Sequence, residues 1–277
     1  MSTRLHIVSL GTSIISNLRN RKGLEIPFPP EDWLKDKRED RDFCEAAYKA
    51  LAEDPYKMSA ELNGMRDFLE RGEVDEVYLI ATDTEAGRFC SEVLKRYLSE
   101  RGVRVLGESG PILGYYKVRR VEGEEEAAEV FSEHLSILFN HLVGFLRKHR
   151  EELGKEVYIN ATGGFKPELA VLSLVGNLFL VPVYYRHETF GVSVFLPPLI
   201  PPELFPDELT LLKRLSDAAG QKGYLRGPKA EELVREAPEV IQKLESFRVI
   251  EVEREPSGRV YGLKLTPQGK FWINLHK

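Results

Sequence analysis

The chain has 277 residues, of which 42% are hydrophobic and 30% are charged, and this composition is typical of a folded globular protein. The net charge of −5 excludes a general electrostatic attraction to nucleic acid or to a membrane surface. Apolar runs are too short to span a bilayer, the N-terminus lacks a signal-peptide pattern, and two cysteines make neither a disulfide framework nor a zinc site. We therefore expect a cytoplasmic protein with no cofactor and no membrane partner.

The first predicted strand is the apolar run Leu5–Leu10, and the small polar turn Gly11-Thr12-Ser13 follows it. A helix is predicted next, with Thr12 or Ser13 in the capping position, and capping alone would explain this turn. The sequence has neither a G-x-G-x-x-G nor a Walker A motif. Dinucleotide-binding and P-loop NTPase functions are therefore disfavoured.

A charged, proline-rich stretch comes next. It starts with Arg19, Arg21 and Lys22 and runs through Arg41. We interpret it as solvated surface, and a mobile loop over an anionic ligand is the alternative. Residues 42–71 are predicted to be helical, in two pieces that break near Asp54-Pro55.

The second predicted strand is Glu76–Thr82, and it meets the residues Asp83-Thr84-Glu85. These residues have the capping chemistry for a helix from Ala86 to Ser99. A third strand is predicted over 103–107, and residues 112–121 supply a further extended piece.

A long helix is predicted over residues 124–152, acidic in its first turns and basic at its end, as the helix macrodipole favours. His134 and His141 lie seven residues apart on this helix. No third ligand stands at a suitable spacing, so we expect no metal site.

The most informative stretch is Val157–Glu168, in which an apolar strand ends at Asn160, Gly163-Gly164 forms a turn, and Pro167 opens a helix. Lys166 is anomalous there, because a cation at a helix N-terminus is unfavourable by roughly 0.3–1 kcal/mol. A bound anion would remove that cost, since free N–H groups and the ammonium would converge on it. An ordinary turn whose lysine points into water is the alternative.

The segments 181–188 and 191–196 flank Thr189-Phe190 and predict a hairpin. The alternation of strands and helices before it predicts a Rossmann-like α/β fold, a mostly parallel sheet with helices on both faces and an antiparallel edge. Ligands of such sheets bind beyond the carboxyl ends of the strands. We therefore expect the turns Gly11–Ser13, Asp83–Glu85 and Thr162–Lys166 to converge on one crevice.

Pro197–Pro202 is predicted to be a stiff linker between a first domain, residues 1–200, and a second, residues 203–277. Three short helices over 206–219, 227–236 and 238–247 precede a hairpin, which is the pattern of a winged helix-turn-helix domain. Its third helix offers only Lys243 as a cation, and the following strand is acidic. DNA binding by this domain is disfavoured, and we favour a dimerisation, lid or docking role.

The turns Gly11-Thr12-Ser13 and Asn160-Ala-Thr-Gly-Gly-Phe-Lys166 together resemble those of the CARF (CRISPR-associated Rossmann fold) family, in the branch with an A-T-G-G-x-K turn. The likeness covers roughly residues 1–200, and the winged-helix tail also occurs in some relatives. It implies a homodimer whose paired turns bind cyclic oligoadenylate, usually the four-membered ring. Some such proteins are sensors with an effector domain, whereas others, the ring nucleases, cut the activator and end the antiviral response.

The tail after Pro202 has no R-x4-6-H motif of a HEPN ribonuclease and is too short for a restriction-like effector. Within the family, two functions remain. The first is a metal-independent ring nuclease that cleaves cyclic tetraadenylate and switches off type III CRISPR signalling. The second is a non-catalytic sensor that regulates transcription through the winged helix, and an unrelated nucleotide-binding α/β protein is a third possibility.

The resemblance assigns the catalytic lysine to Lys166 and the small hydroxyl residue to Ser13, with Thr12 as the alternative. In the ring-nuclease reaction the ribose 2′-OH attacks its own 3′-phosphate, which leaves a 2′,3′-cyclic phosphate and a free 5′-OH. The protein needs only to align these oxygens and to stabilise the charge that grows on the phosphorane. The expected substrate-binding residues are Gly11, Thr12, Asp83, Thr84, Thr162, Gly163, Gly164 and Arg186.

Overall fold

The computed structural model describes residues 2–116, 123–164, 166–187, 191–196, 206–220, 223–247, 249–266, 269–270 and 273. The chain divides into two compact units, Met1–Phe195 and Leu196–Lys277. Among the described helices, none combines the length and the apolar character that crossing a bilayer requires.

The first unit is organised around a mostly parallel sheet. Its strands are β1 (Arg4–Ser9), β2 (Glu76–Ala81), β3 (Arg104–Val105), β4 (Gly110–Pro111), β5 (Glu156–Asn160), β6 (Val183–Arg186) and β7 (Ser193–Phe195). The order is β3-β2-β1-β5-β6-β7, and β4 also pairs with β2. Strand β7 is antiparallel to β6, whereas the other pairs are parallel. The expected fold class, with its antiparallel edge, is confirmed.

The helices of this unit connect and cover the strands. They are α1 (Ser13–Lys22), α2 (Glu31–Lys37), α3 (Arg41–Glu53), α4 (Pro55–Met58), α5 (Ala60–Glu70), α6 (Glu85–Glu100), α7 (Glu124–Leu146) and α8 (Lys166–Leu178). A π-helical turn, Arg147–Glu152, continues α7.

Both faces of the sheet are covered, and β2 shows why. All six of its residues are buried, and successive side chains point to opposite faces. Val77 and Leu79 lie in an apolar cluster with residues of α1, α3, α5 and α6. Tyr78, between them, stacks on Phe145 of α7 with ring centroids 3.9 Å apart. A strand that is apolar on both sides therefore requires two helical layers.

The charged stretch after the first turn is more helical than predicted. Arg19, Arg21 and Lys22 belong to α1, which ends at Gly23 in the left-handed conformation that glycine adopts without a steric penalty. The proline-rich stretch contains α2. The region 42–71 forms three helices rather than two, because Pro55 opens the short α4 and Ser59 caps α5 by accepting the Leu62 N–H.

Other boundaries differ slightly from the predictions. Strand β3 has two residues instead of five, and α8 begins at Lys166, one residue before Pro167. The extended piece predicted over 112–121 is wrong for residues 113–116, which form a turn, and the short strand β4 lies just before it at Gly110–Pro111. Residues 117–121, the hairpin turn at 188–190 and the linker at 197–202 lie outside the described residues.

The second unit has the three predicted helices, α9 (Pro206–Ala219), α10 (Pro228–Glu236) and α11 (Pro238–Ser246). The predicted hairpin is formed by β9 (Ile250–Arg254) and β10 (Val260–Leu265), and β8 (Tyr224–Arg226) pairs with β10 in an antiparallel sheet. Strand β8 was not predicted, because three residues carry too little periodicity. Leu212, Leu244 and Leu263 join helices and sheet in one apolar core.

Candidate functional site

The strand order places the candidate turns beside one another. Strand β1 lies between β2 and β5, and in register Leu5 faces both Glu76 and Val157. The chain moves away from β1 on one side through β2 and on the other through β5, so the β1–β5 junction is the topological switch point. Ligands of open α/β sheets bind beyond the carboxyl ends of the strands at this point.

The turn after β1 and the turn after β5 are in contact. A Cβ on Gly11 would lie 3.1 Å from the Gly164 amide nitrogen, and a Cβ on Gly163 would lie 2.7 Å from the Ser9 carbonyl oxygen. Gly164 has φ of +87°, and a Cβ there would lie 2.3 Å from Ser9 Oγ. A Cβ does not fit at Gly163 or Gly164 and is tightly placed at Gly11, so the convergence that the sequence predicted for these two turns is present.

Tyr115 links the turn after β2 to the same place. Its carbonyl oxygen accepts the Asp83 N–H at 2.7 Å, and its fully buried side chain lies beside the Glu168 carboxylate. Burial, and next the charge of Glu168, raise the pKa of the Tyr115 phenol above its ordinary value. Glu168 in turn accepts the Ser9 hydroxyl at 2.7 Å. The turn after β2 is therefore connected to the contact between the other two turns through the buried side chain of Tyr115.

The N-terminus of α1 offers backbone N–H groups at this junction. Thr12 is its N-cap residue and is exposed, but its side chain makes no capping hydrogen bond, and the first turn of α1 holds no acidic residue. The first N–H groups of a helix have no partner within it, and of those in α1 the Ile15 N–H donates to the Cys90 sulfur. Over the described part of the chain, the amides of Gly163 and Gly164 donate to no acceptor. Unused donors of this kind are suited to an anion.

Lys166 is the first residue of α8 and is exposed. Among the described residues it has neither an ion-pair nor a hydrogen-bond partner. Its ammonium therefore stands at the positive end of a helix macrodipole with no ion pair in the described ranges, and Glu168, the acid of the same turn, is buried. This is the unfavourable placement that its sequence position predicted.

Ser13 is hydrogen-bonded to a buried acid, Glu61, which is 1% exposed. Ser13 Oγ donates to Glu61 Oε2 at 2.9 Å and accepts the Ala60 N–H at 3.1 Å. The Gly11 N–H donates to Glu61 Oε1 at 2.9 Å. Gly11 therefore contributes to the junction by its small size and not by its amide.

Asp83 and Thr84 build the second turn. The Asp83 carboxylate is buried, pairs with Arg88 and accepts the Gly114 N–H at 3.1 Å. Thr84 caps α6, as predicted, with its Oγ1 accepting the Gly87 N–H at 3.0 Å. The polar atoms of both side chains are engaged in these contacts.

Arg186 and Thr162 are likewise engaged within the fold. Arg186 is 6% exposed, and its guanidinium donates to Asp67 at 2.9 Å and to the Gly191 carbonyl. Its backbone N–H donates to Thr162 Oγ1 at 3.0 Å. Burial acts to raise the pKa of Asp67, but the hydrogen bonds from Arg186 and Ser193 outweigh it and hold this pKa below its usual range.

The sequence analysis did not single out Glu61 as a site residue, and it assigned Glu168 only a role at the start of a helix. The helical spacing of apolar residues could have indicated that both acids are buried. Glu61 precedes Met65 and Phe68 at helical spacing, and Glu168 precedes Leu172 and Val175 in the same way. An acid on the apolar face of an amphipathic helix has to be satisfied inside the protein.

No group of three or more His, Cys, Asp or Glu side chains in the described ranges is placed to hold a metal ion. The two histidines of α7 instead contact aromatic side chains. His141 stacks with Tyr78, and His134 lies 6.0 Å from the ring of Tyr116.

The second unit pairs many of its cations internally. Lys243 of α11 forms an ion pair with Glu208. Further pairs are Arg214–Glu236, Arg226–Glu253, Arg254–Glu245, Arg259–Glu231 and Lys264–Glu251. Each of these cations is matched by an acid of the same unit, which weakens its attraction to a DNA phosphate.

A family model described as CRISPR-associated protein (Cas_APE2256) matches residues 56–199, which is more than half of the chain. The matched region includes Glu61, the turn after β2 and the Gly163–Lys166 turn.

Several solved structures are similar to this chain, including the following two. The crystal structure of protein VC1899 from Vibrio cholerae aligns with 98% of this chain and 64% of that one, at 11% identity and a TM-score of 0.40. Can2 from Sulfobacillus thermosulfidooxidans, in complex with cyclic tetra-adenylate, aligns with 72% of this chain and 55% of that one, at 13% identity and a TM-score of 0.31. The chain thus spans less than two thirds of the length of either protein.

Proposed function

The chain belongs to the CRISPR-associated protein family Cas_APE2256, and on that premise we propose that it is a metal-independent ring nuclease for cyclic tetraadenylate. The proposal includes a homodimer in which two copies of the β1–β5 junction face one ring across a two-fold axis. Cleavage of the ring would switch off type III CRISPR signalling.

One observation supports this function above the others. In the described part of the chain, three features lie together at the switch point of the sheet. They are the start of α1, whose Thr12 side chain makes no capping hydrogen bond, the Gly163-Gly164 turn, and the exposed Lys166, which has no ion-pair partner there. The net charge is negative, so an anionic ligand has to be held by a local set of donors of this kind. Backbone N–H groups and one ammonium suit a phosphodiester, because its oxygens only accept hydrogen bonds.

The cleavage reaction needs no nucleophile from the protein, because the ring supplies its own. The ribose 2′-oxygen attacks the adjacent phosphorus, the bond to the 5′-oxygen breaks, and a 2′,3′-cyclic phosphate forms. The 2′-proton passes to solvent water and the departing 5′-oxygen takes a proton from water, so the step needs no other co-reactant. Lys166 and the amides of Gly163 and Gly164 would stabilise the negative charge that develops on the phosphorane. Alignment of the attacking and leaving oxygens supplies the rest of the acceleration.

Asp83, Thr84, Thr162 and Arg186 enter the proposal as residues that shape the crevice. Their polar side-chain atoms are engaged by Arg88, Gly87 and Asp67 or by the backbone. The contacts with the ring are therefore assigned to Thr12, Ser13, Gly163, Gly164 and Lys166.

The test is incubation of the purified protein with cyclic tetraadenylate or cyclic hexaadenylate in excess EDTA. We expect linear products that end in a 2′,3′-cyclic phosphate and a 5′-OH, formed faster from the four-membered ring. A ring that is bound but stays intact would overturn the nuclease in favour of the sensor, and ring-dependent binding to duplex DNA would then identify the regulator. Failure to bind either ring would favour an unrelated nucleotide-binding protein.

A further inference from the structure

Glu61 is a buried carboxylate directly behind the first turn. Its Oε1 accepts the Gly11 N–H at 2.9 Å, and its Oε2 accepts the hydroxyls of Ser13 at 2.9 Å and Ser59 at 2.7 Å. It lies in the first turn of α5, where the helix macrodipole favours negative charge. Three donors therefore converge on this carboxylate, and both of its oxygens accept hydrogen bonds.

This arrangement fixes the direction of the Ser13 proton. A serine hydroxyl has one proton to donate and two lone pairs that accept. The proton is given to Glu61, and the Ala60 N–H at 3.1 Å occupies one lone pair. Ser13 is half-buried, and no third partner contacts its Oγ within the described ranges. It can therefore accept one more hydrogen bond, but it has no proton left to donate.

A cyclic oligoadenylate offers few groups that can donate to such an oxygen. The 3′- and 5′-oxygens of every ribose are esterified, and the phosphate oxygens only accept. The ribose 2′-OH is thus the one donor on the sugar–phosphate backbone of the ring. Beside the phosphate site, Ser13 can accept a hydrogen bond from this 2′-OH. It cannot donate a hydrogen bond to a phosphoryl oxygen, because its proton is given to Glu61.

We propose that Glu61 is a positioning residue that makes Ser13 the hydrogen-bond acceptor for the attacking 2′-OH, an inference that rests on the proposed ring-nuclease function. With its proton directed at Ser13, the 2′-oxygen keeps a lone pair free to face the phosphorus. Lys166, which can only donate, is left to the phosphate oxygens. The two sides of the junction therefore have opposite hydrogen-bonding roles, one for the nucleophile and one for the phosphate.

Glu61→Gln tests this inference with little change of shape. A glutamine amide has one accepting oxygen and one donating nitrogen. The Gly11 N–H cannot reverse its direction, so the amide oxygen faces it and the amide nitrogen faces Ser13 and Ser59, whose hydroxyls can rotate. Ser13 then receives the amide proton and turns its own proton outward. Ser13 therefore becomes a hydrogen-bond donor toward the ligand instead of an acceptor.

We expect Glu61→Gln to bind cyclic tetraadenylate but to cleave it about 100-fold more slowly in a single turnover, because the nucleophile is misdirected. Wild type should bind this ring about 5–10-fold more tightly than its 2′-deoxy counterpart, as one hydrogen bond predicts. Glu61→Gln and Ser13→Ala should both lose that preference. Ser13→Ala keeps the test available if Glu61→Gln does not fold.

Ser99→Ala is the matched control. It also removes one serine hydroxyl, but Ser99 is exposed near the C-terminal end of α6 and contacts neither Ser13 nor Glu61 in the described ranges. It should cleave the ring at the wild-type rate. If wild type cleaves the ring and Glu61→Gln cleaves it equally fast, or if wild type binds both rings equally, this inference is wrong and the ring nuclease stands. If wild type leaves the ring intact, the proposed function fails and this inference fails with it.

Discussion

Gly11 and Gly164 lie so close that a Cβ on Gly11 would come within 3.1 Å of the Gly164 amide nitrogen. Gly11 follows β1, the central strand, and Gly164 follows β5, its neighbour. This contact joins the start of α1 to the start of α8, so two helix N-termini and Lys166 meet in one place. The candidate site is a product of strand order, since the two glycines are far apart in sequence.

Substitution of Gly164 by alanine should be more damaging than substitution of a glycine with similar backbone geometry. A Cβ at Gly164 would lie 2.3 Å from Ser9 Oγ and 2.6 Å from Glu168 Oε2, whereas Gly102, with φ of +78°, has nothing within 4 Å. Both changes carry the cost of the left-handed conformation, about 1–2 kcal/mol. Overpacking adds about 1–3 kcal/mol at Gly164 alone. Urea unfolding of the two variants measures this difference, and equal losses would show that the junction is not tightly packed.

Arg186 should contribute more to the stability of the fold than to the affinity for the ring. Arg186→Ala removes the donor of the Gly191 carbonyl and leaves the Asp67 carboxylate with Ser193 alone among the described donors, so we expect a loss of about 1–3 kcal/mol in the free energy of unfolding. Asp67→Ala should cost a similar amount, and the double variant should cost much less than the sum. A strong loss of ring affinity in a fully stable Arg186→Ala protein would instead return Arg186 to the binding residues.

Stability should fall as the pH is lowered through the range of histidine titration. Burial lowers the pKa of His141 below the usual 6.5, and burial together with the Lys155 charge does the same for His149. The unfolded chain therefore takes up protons first, so stability is full above pH 6.5 and is lost as the pH falls from there toward the folded-state values. Urea unfolding at several pH values measures the slope. A variant with glutamine at both positions should have a flatter profile, and an unchanged slope would assign the effect to other groups.

Duplex DNA should bind only weakly. The described cations of α11 and of the hairpin are paired with acids, as Lys243 is with Glu208 and Lys264 with Glu251. Few phosphates would then be neutralised, so we expect a Kd no tighter than about 10⁻⁴–10⁻⁶ M and a shallow dependence on salt. Fluorescence anisotropy at two salt concentrations, with and without cyclic tetraadenylate, measures both. Tight, ring-dependent binding would support a regulator of transcription.

Much of the fold could be predicted because it depends on local patterns. The apolar runs of β1, β2 and β5, and turn residues such as Thr84 and Pro167, mark the strands and the helix starts. The helical structure of the charged stretch was not predicted, because Arg19–Lys22 are compatible with both a surface helix and a loop. Strand β3 was overextended, since periodicity does not reveal how many residues find a partner.

The candidate site was predicted in part. The Gly11 and Gly163-Gly164 turns were expected to meet because parallel strands end at one edge of a sheet. The roles of Arg186 and Ser13 were not accessible, because their partners Asp67 and Glu61 are distant in sequence and such pairs are set by tertiary packing. Glu61 could have been suspected from its place on an apolar helix face.

The central claim is that Lys166 stabilises the phosphate of a cyclic oligoadenylate during cleavage. Its most direct test is the single-turnover rate of cyclic tetraadenylate cleavage in EDTA by wild type, Lys166→Ala and Lys49→Ala. Lys49 is a matched control, since it is an exposed lysine on α3 whose side chain is 70% accessible. We predict a loss of about 10²–10³-fold for Lys166→Ala and none for Lys49→Ala. A Lys166→Ala protein that cleaves the ring as fast as wild type would contradict this account.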